Sequence, residues 1–135
     1  MKAKAKKYKF NKDQQKWLKA LESGEYAQTK ALLCNGDGFC CLGVACDVLG
    51  AKFEEPGVGA TAFRFGRERE ATVLPETIRK RLKLRTVSGG LRGRFRIGQA
   101  KCAEELTEAN DNGAKFSSIA KFIRANPEAV FTDAK

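Results

Sequence analysis

From Leu91 to Ile97 the chain alternates without a break, with Leu91, Gly93, Phe95 and Ile97 at one set of positions and Arg92, Arg94 and Arg96 at the other. A β-strand sends successive side chains to opposite faces, so this run predicts a strand with one apolar face for the core and one cationic face for solvent. Ser88-Gly89-Gly90 just before it is a turn signal that would join it to residues 84–87 as a hairpin. A second, shorter alternation, Ala62-Phe63-Arg64-Phe65, follows a loop marked by Pro56, Gly57 and Gly59.

Elsewhere the apolar period is that of a helix. Asn11 is placed to cap a helix over about 12–23, with Asp13 in its first turn, Trp17, Leu18 and Leu21 on its inner face, and Gly24 to end it. Asn35-Gly36-Asp37-Gly38 predicts a tight turn. Beyond it, Cys41, Leu42, Ala45, Val48 and Leu49 outline a buried helix stopped by Gly50. Leu74-Pro75-Glu76 opens a further helix edged by Ile78 and Leu82. The C-terminal third reads as helices over about 98–109 and 116–125, joined by Asn110-Asp111-Asn112-Gly113. The second is marked by Phe116, Ile119, Ala120 and Ile123 and is followed by Pro127.

The sum is an α+β fold: a small single domain of four to five helices packed with a short antiparallel sheet, made of the hairpin around 84–97 plus the strand near 61–65. A length of 135 residues matches one domain, with residues 1–10 expected as a basic, flexible tail and 11–135 as the domain. No apolar run approaches the roughly 20 residues that span a bilayer, and the lysine-rich start leads into Asn11-Lys12-Asp13-Gln14 rather than an apolar segment. The expected compartment is the cytoplasm.

Net charge is +10, and it is segregated. Residues 1–19 carry eight lysines and one acid, and residues 64–99 carry eleven basic residues and three acids, whereas the segments between and after them are net acidic. Nine of the ten arginines fall in the second basic block.

Histidine is absent, which removes the commonest acid–base catalyst near neutral pH and with it Cys-His and Ser-His-Asp arrangements. Cys40 or Cys41 could lie at a helix N-terminus, where a thiolate is favoured, but a helix face otherwise built of Leu, Ala and Val predicts buried thiols. Cys34, Cys40, Cys41 and Cys46 are separated by five, zero and four residues, so only the last gap fits the C-x(2–4)-C spacing of a zinc pair, and on a helix Cys41 and Cys46 diverge by more than a quarter turn. The carboxylates of Asp37, Asp47, Glu104, Glu105, Glu108 and Asp111 form no metal-dependent motif, and Gly36-Asp37-Gly38 lacks the lysine and hydroxyl of a phosphate-binding loop. The expectation is therefore a non-enzymatic protein with no metal and no cofactor.

Binding chemistry is favoured instead. Arginines two apart on a strand lie about 6.6–6.8 Å from one another, a spacing compatible with successive phosphates. The planar guanidinium fork pairs with phosphate oxygens through two parallel hydrogen bonds. The expected site is Arg92, Arg94 and Arg96, extended by Arg64 and Arg67, and the ligand a nucleotide or nucleic acid. Two alternatives stand beside it: a nucleic-acid-binding protein using both basic blocks, and an inhibitor of a host protein. Leu106 to Ala120 has the outline of a helix-turn-helix, but that stretch carries no excess positive charge.

The run Trp17-Leu18-Lys19-Ala20-Leu21-Glu22-Ser23-Gly24-Glu25-Tyr26-Ala27-Gln28 is followed by Gly36-Asp37-Gly38-Phe39-Cys40-Cys41-Leu42-Gly43-Val44 and by Cys46-Asp47. It resembles small proteins encoded by bacteriophages and prophages, as do Leu74-Pro75-Glu76 and the stretch from Leu106 to Ala120. The resemblance does not extend to the arginine block. It implies a viral accessory protein in the host cytoplasm that binds host factors, nucleic acid or the nucleotide signals of host defence. It also marks Tyr26, Gln28, Asp47, Asn110 and Asp111 as recurring polar positions. These could line a ligand pocket, or they could cap helices and tie loops.

Overall fold

The computed structural model describes residues 8–54 and 62–134. Residues 1–7 of the expected tail, and the glycine-rich stretch before Ala62, lie outside the described residues. In chain order the elements are α1 (Lys12–Ser23), α2 (Cys41–Val48), β1 (Lys52–Glu54), β2 (Ala62–Phe65), β3 (Glu68–Glu70), α3 (Glu76–Leu82), β4 (Gly90–Ile97), β5 (Ala100–Glu105), α4 (Leu106–Asp111), α5 (Phe116–Ala125) and α6 (Pro127–Val130). The fold is α+β, as expected, but the strands form two antiparallel sheets rather than one, β1-β2-β3 and β4-β5.

At the start of α1, Asn11 and Gln14 form a reciprocal capping box: the Asn11 side chain accepts from the Gln14 N–H at 2.7 Å, and the Gln14 side chain accepts from the Asn11 N–H at 2.8 Å. Gly24 ends the helix at φ 77°, a left-handed conformation in which glycine carries no side-chain clash. The inner face of α1 buries Trp17, Leu18 and Leu21, and the Trp17 indole N–H donates to the Cys41 carbonyl at 2.8 Å. That bond locks α1 onto α2.

Every residue of α2 from Cys41 to Cys46 is buried, which makes it the central helix of the core. Its first turn lies directly against Leu33: a Cβ on Gly43 would stand 1.8 Å from the Leu33 carbonyl oxygen. The loop that passes there is held by the Asn35 turn, where the Asn35 side-chain oxygen accepts from the N–H groups of both Asp37 and Gly38 at 2.9 Å and Cys34 bridges Phe39.

The expected hairpin partner and the expected helix over 98–109 are both corrected. Strand β4 pairs with residues 100–105, Phe95 opposite Ala103 and Ile97 opposite Ala100, while Leu84 bridges Phe131 instead. Ala-Lys-Cys-Ala-Glu-Glu has good local helical propensity, but β4 exposes a row of backbone donors and acceptors that needs a partner, and pairing overrides propensity. Only from Leu106 does the chain turn helical. The ribbon's inner face rests on the C-terminal helices, with the Phe95 and Phe122 rings 5.0 Å apart.

Residues 8–10, placed in the tail by sequence, pack on the body. Tyr8 stacks on Phe131 with ring centroids 5.3 Å apart and donates to Asp133 at 2.7 Å, and Phe10 meets both rings edge-on.

Candidate functional site

Strict alternation along β4 is interrupted where it matters. Gly90 opposes Glu105 and Phe95 opposes Ala103, so β4 carries three residues more than β5 between those pairs. Gly93, at φ 123°, lies inside this bulge, a conformation that favours glycine. Arg92, Gly93 and Arg94 are all exposed there, so the three arginines are not evenly spaced on one flat face. The opposite irregularity follows at once: between Phe95/Ala103 and Ile97/Ala100 the extra residue is on β5. Arg96 therefore stands opposite two residues, Lys101 and Cys102, all three exposed, with Ile97, Ala100 and Ala103 buried and Phe95 half-buried beside them.

The sheets thus set like charges opposite one another, Arg64 against both Lys52 and Arg69 in the first and Arg96 against Lys101 in the ribbon, and they are treated differently. In the first sheet Arg64 on β2 is the direct partner of Arg69 on β3, and Glu54 on β1 binds both guanidinium groups, at 2.8 and 3.0 Å. Hydrogen bonds from Arg64 and Arg69 hold the Glu54 carboxyl below its ordinary range. In the ribbon, Arg96 and Lys101 have no such carboxylate among the described residues. Like charges directly opposite on a sheet destabilise it unless something anionic lies between.

Most other arginines are engaged within the fold. Arg94 is ion-paired with Glu104, which raises its guanidinium pKa. Arg79 is paired with Glu76, Arg81 with Asp13 and Arg124 with Glu22, while Arg85 donates to the carbonyls of Glu128 and Phe131. Arg67, Arg92 and Arg96 have no hydrogen-bonded or ion-paired partner among the described residues. Of the five arginines expected from sequence, Arg92, Arg94 and Arg96 come together on the ribbon, Arg64 lies on β2 of the other sheet and Arg67 in the turn between β2 and β3.

An open concavity of about 940 Å³ adjoins the bulge. Its lining includes Arg94 with its partner Glu104, and also Glu105, Glu108 and Asp111. Four carboxylates to one guanidinium make it a poor receptacle for a small anion.

The polar positions marked by resemblance are brought together as internal ties. The Gln28 amide donates to the Asn110 side-chain oxygen and to the Ala114 carbonyl, each at 2.7 Å. Asn110, almost fully buried, also accepts from the Cys41 N–H at 3.1 Å and donates to the Thr29 carbonyl at 2.8 Å. Asp111 accepts from the Ala31 N–H at 2.9 Å. Tyr26 donates to Asp47 and meets the Phe39 ring edge-on at 5.1 Å.

Burial is the largest influence on the thiols of α2 and its cap, pushing Cys40 up to about 11 and raising Cys41 and Cys46 as well. A thiol raised in this way is held in its protonated form at neutral pH, which disfavours a nucleophilic role. No group of three or more Cys, Asp or Glu side chains among the described residues is arranged to hold a metal ion, and no described helix is long and apolar enough to cross a membrane.

Lys101 is the residue that sequence reasoning missed. Alanines at 100 and 103 read as one face of a helix, and nothing local announced that Lys101 would be set opposite Arg96.

Fold and surface together define a small α+β domain whose exposed two-stranded ribbon displays unpaired cations on one face and packs on helices with the other. Residues 10–127 match the model of the family described as Domain of unknown function (DUF8296), and the chain belongs to that family. Comparison with curated proteins gives no match, and neither does comparison with solved structures.

Proposed function

We propose that this is a non-enzymatic accessory protein that binds a phosphate-bearing ligand on the outer face of the β4–β5 ribbon, with Arg96 and Lys101 at the centre and Arg92 beside them. The observation that carries this reading is the contrast between the like-charge contacts of the two sheets. Arg64 and Arg69 share Glu54, whereas Arg96 and Lys101 face each other with no carboxylate between them among the described residues. A phosphate bridging the second pair would do what Glu54 does for the first, with the Arg96 fork supplying two hydrogen bonds and Lys101 a point charge. Arg64 leaves the ligand-binding set because its guanidinium is already engaged. Arg94 is available only to a ligand that displaces Glu104.

Chromatography on phosphocellulose, with a carboxylate matrix of equal charge density as control, tests this directly. The natural chain should elute from the phosphate matrix at higher salt than the Arg96→Ser/Lys101→Ser double variant, and the difference should shrink on the carboxylate matrix. Equal elution of the two proteins from phosphocellulose would sink the proposal.

A further inference from the structure

We infer that the phosphate-bearing ligand is double-stranded nucleic acid, gripped by its backbone across the outer face of the ribbon. This rests on the reading above that the ribbon cations hold phosphate, and it names the class of ligand.

Enclosure speaks first. Sites for small ligands are concave and bury most of what they hold. Arg92, Arg96 and Lys101 are instead exposed, and the neighbouring concavity turns Glu104, Glu105, Glu108 and Asp111 toward any anion that enters it. A single nucleotide on exposed cations is attracted weakly, because water and salt screen each contact. A polyanion binds the same cations far better, since each neutralised phosphate releases condensed counterions. The lysines at 2, 4, 6, 7, 9, 12, 16 and 19 add to that long-range attraction and would add little for a mononucleotide.

Choice of strand state follows from the side chains around the cations. Proteins that hold single strands stack bases on exposed aromatic rings. Along the outer face the residues are Arg92, Arg94, Arg96, Lys101, Cys102 and Glu104, and the one ring of the ribbon, Phe95, is turned inward onto Phe122. Such a face can meet phosphates and offers no aromatic ring on which to stack a base. The carboxylates beside the bulge bound the contact on the α4 side, so the duplex axis is directed over Arg96 and Lys101 and away from α4.

Fluorescence anisotropy with a labelled duplex of about 20 base pairs, more than twice the length of the ribbon, is the test. Its isolated strand, ATP and phosphatidylglycerol vesicles are the competing arms. The duplex should bind most tightly, with similar affinity for two unrelated sequences. Arg96→Ser/Lys101→Ser should weaken binding at least about tenfold at moderate salt and reduce the slope of log K against log salt by about 2, one for each lost phosphate contact. An unchanged thermal midpoint shows that the variant is folded. Preferential binding of the single strand, of ATP or of vesicles would overturn the duplex assignment and leave the phosphate reading standing. Binding by none of them, together with equal elution from phosphocellulose, would overturn both. Duplex binding that survives the double variant and vanishes when Lys2, Lys4, Lys6, Lys7 and Lys9 become serine would also overturn the assignment to the ribbon.

Discussion

Gln28 and Asn110 are hydrogen-bonded at 2.7 Å across 82 positions of the chain, and that bond joins the loop before α2 to the last turn of α4. The Asn110 oxygen serves the Cys41 N–H as well, so one amide fixes the start of the central helix. Replacing Asn110 with alanine orphans buried donors and acceptors, each costing about 1–3 kcal/mol. Urea denaturation should show a loss of about 2–3 kcal/mol, while elution of the folded variant from phosphocellulose should not change. An elution shift without a stability loss would return Asn110 to the ligand site.

Gly43 admits no side chain. Its Cβ would lie 1.8 Å from the Leu33 carbonyl oxygen and 2.7 Å from the carbonyl carbon, both backbone atoms that cannot rotate away. Gly43→Ala must separate α2 from that loop, and the expected cost exceeds about 3 kcal/mol, the upper end of ordinary overpacking. Soluble expression and a thermal midpoint near that of the natural chain would contradict this.

Ala31 presents the opposite case. It is held at φ 73° in a three-residue turn closed by the Leu32 N–H on the Lys30 carbonyl at 2.8 Å, and Asp111 captures its own N–H. An L-residue in the left-handed region costs about 1–2 kcal/mol, against roughly 0.5–1 kcal/mol of backbone entropy for glycine. Ala31→Gly should therefore stabilise the protein by about 0.5–1 kcal/mol in urea titration. A destabilised variant would show that the alanine methyl contributes packing that outweighs the strain.

Lys101→Glu separates stability from binding. It places a carboxylate opposite Arg96, as Glu54 does for Arg64 and Arg69. Thermal denaturation should rise by about 1–2 °C, a few tenths of a kcal/mol for an exposed cross-strand pair, while retention on phosphocellulose falls. Parallel loss of both properties would mean that Lys101 supports the ribbon in some other way.

Both tyrosines are hard to ionise. Burial pushes Tyr8 up to about 12, reinforced by its hydrogen bond to Asp133, and burial followed by the bond to Asp47 pushes Tyr26 up to about 12. In the unfolded chain these phenols ionise near 10, so their folded pKa is the raised one. Their contribution to stability is then intact below about pH 10 and is lost as pH rises toward 12. Absorbance at 295 nm should show little phenolate in the folded protein at pH 10.5 and titration near 10 in urea. Ordinary titration of both phenols in the folded state would disprove these contacts.

Elements whose code is local could be read from the sequence. Lys12–Ser23 and Phe116–Ala125 match the predicted helices because the 3.6-residue period, joined in the first by the Asn11 cap and the Gly24 stop, acts within a few positions. Gly90–Ile97 is a strand because of its alternation. Sequence also determined the buried character of α2 and the segregation of charge. Tertiary structure decided what those segments meet. Residues 100–105 are helix-like by propensity and became a strand only because β4 needed its backbone satisfied. The arginine block looked uniform, yet Arg64, Arg69 and Arg94 are neutralised by glutamates brought in by sheet pairing, and Arg96 is left facing a lysine. Periodicity fixes which way a side chain points along its own element. Whether a carboxylate or another cation stands opposite depends on register, and register is a property of two strands at once.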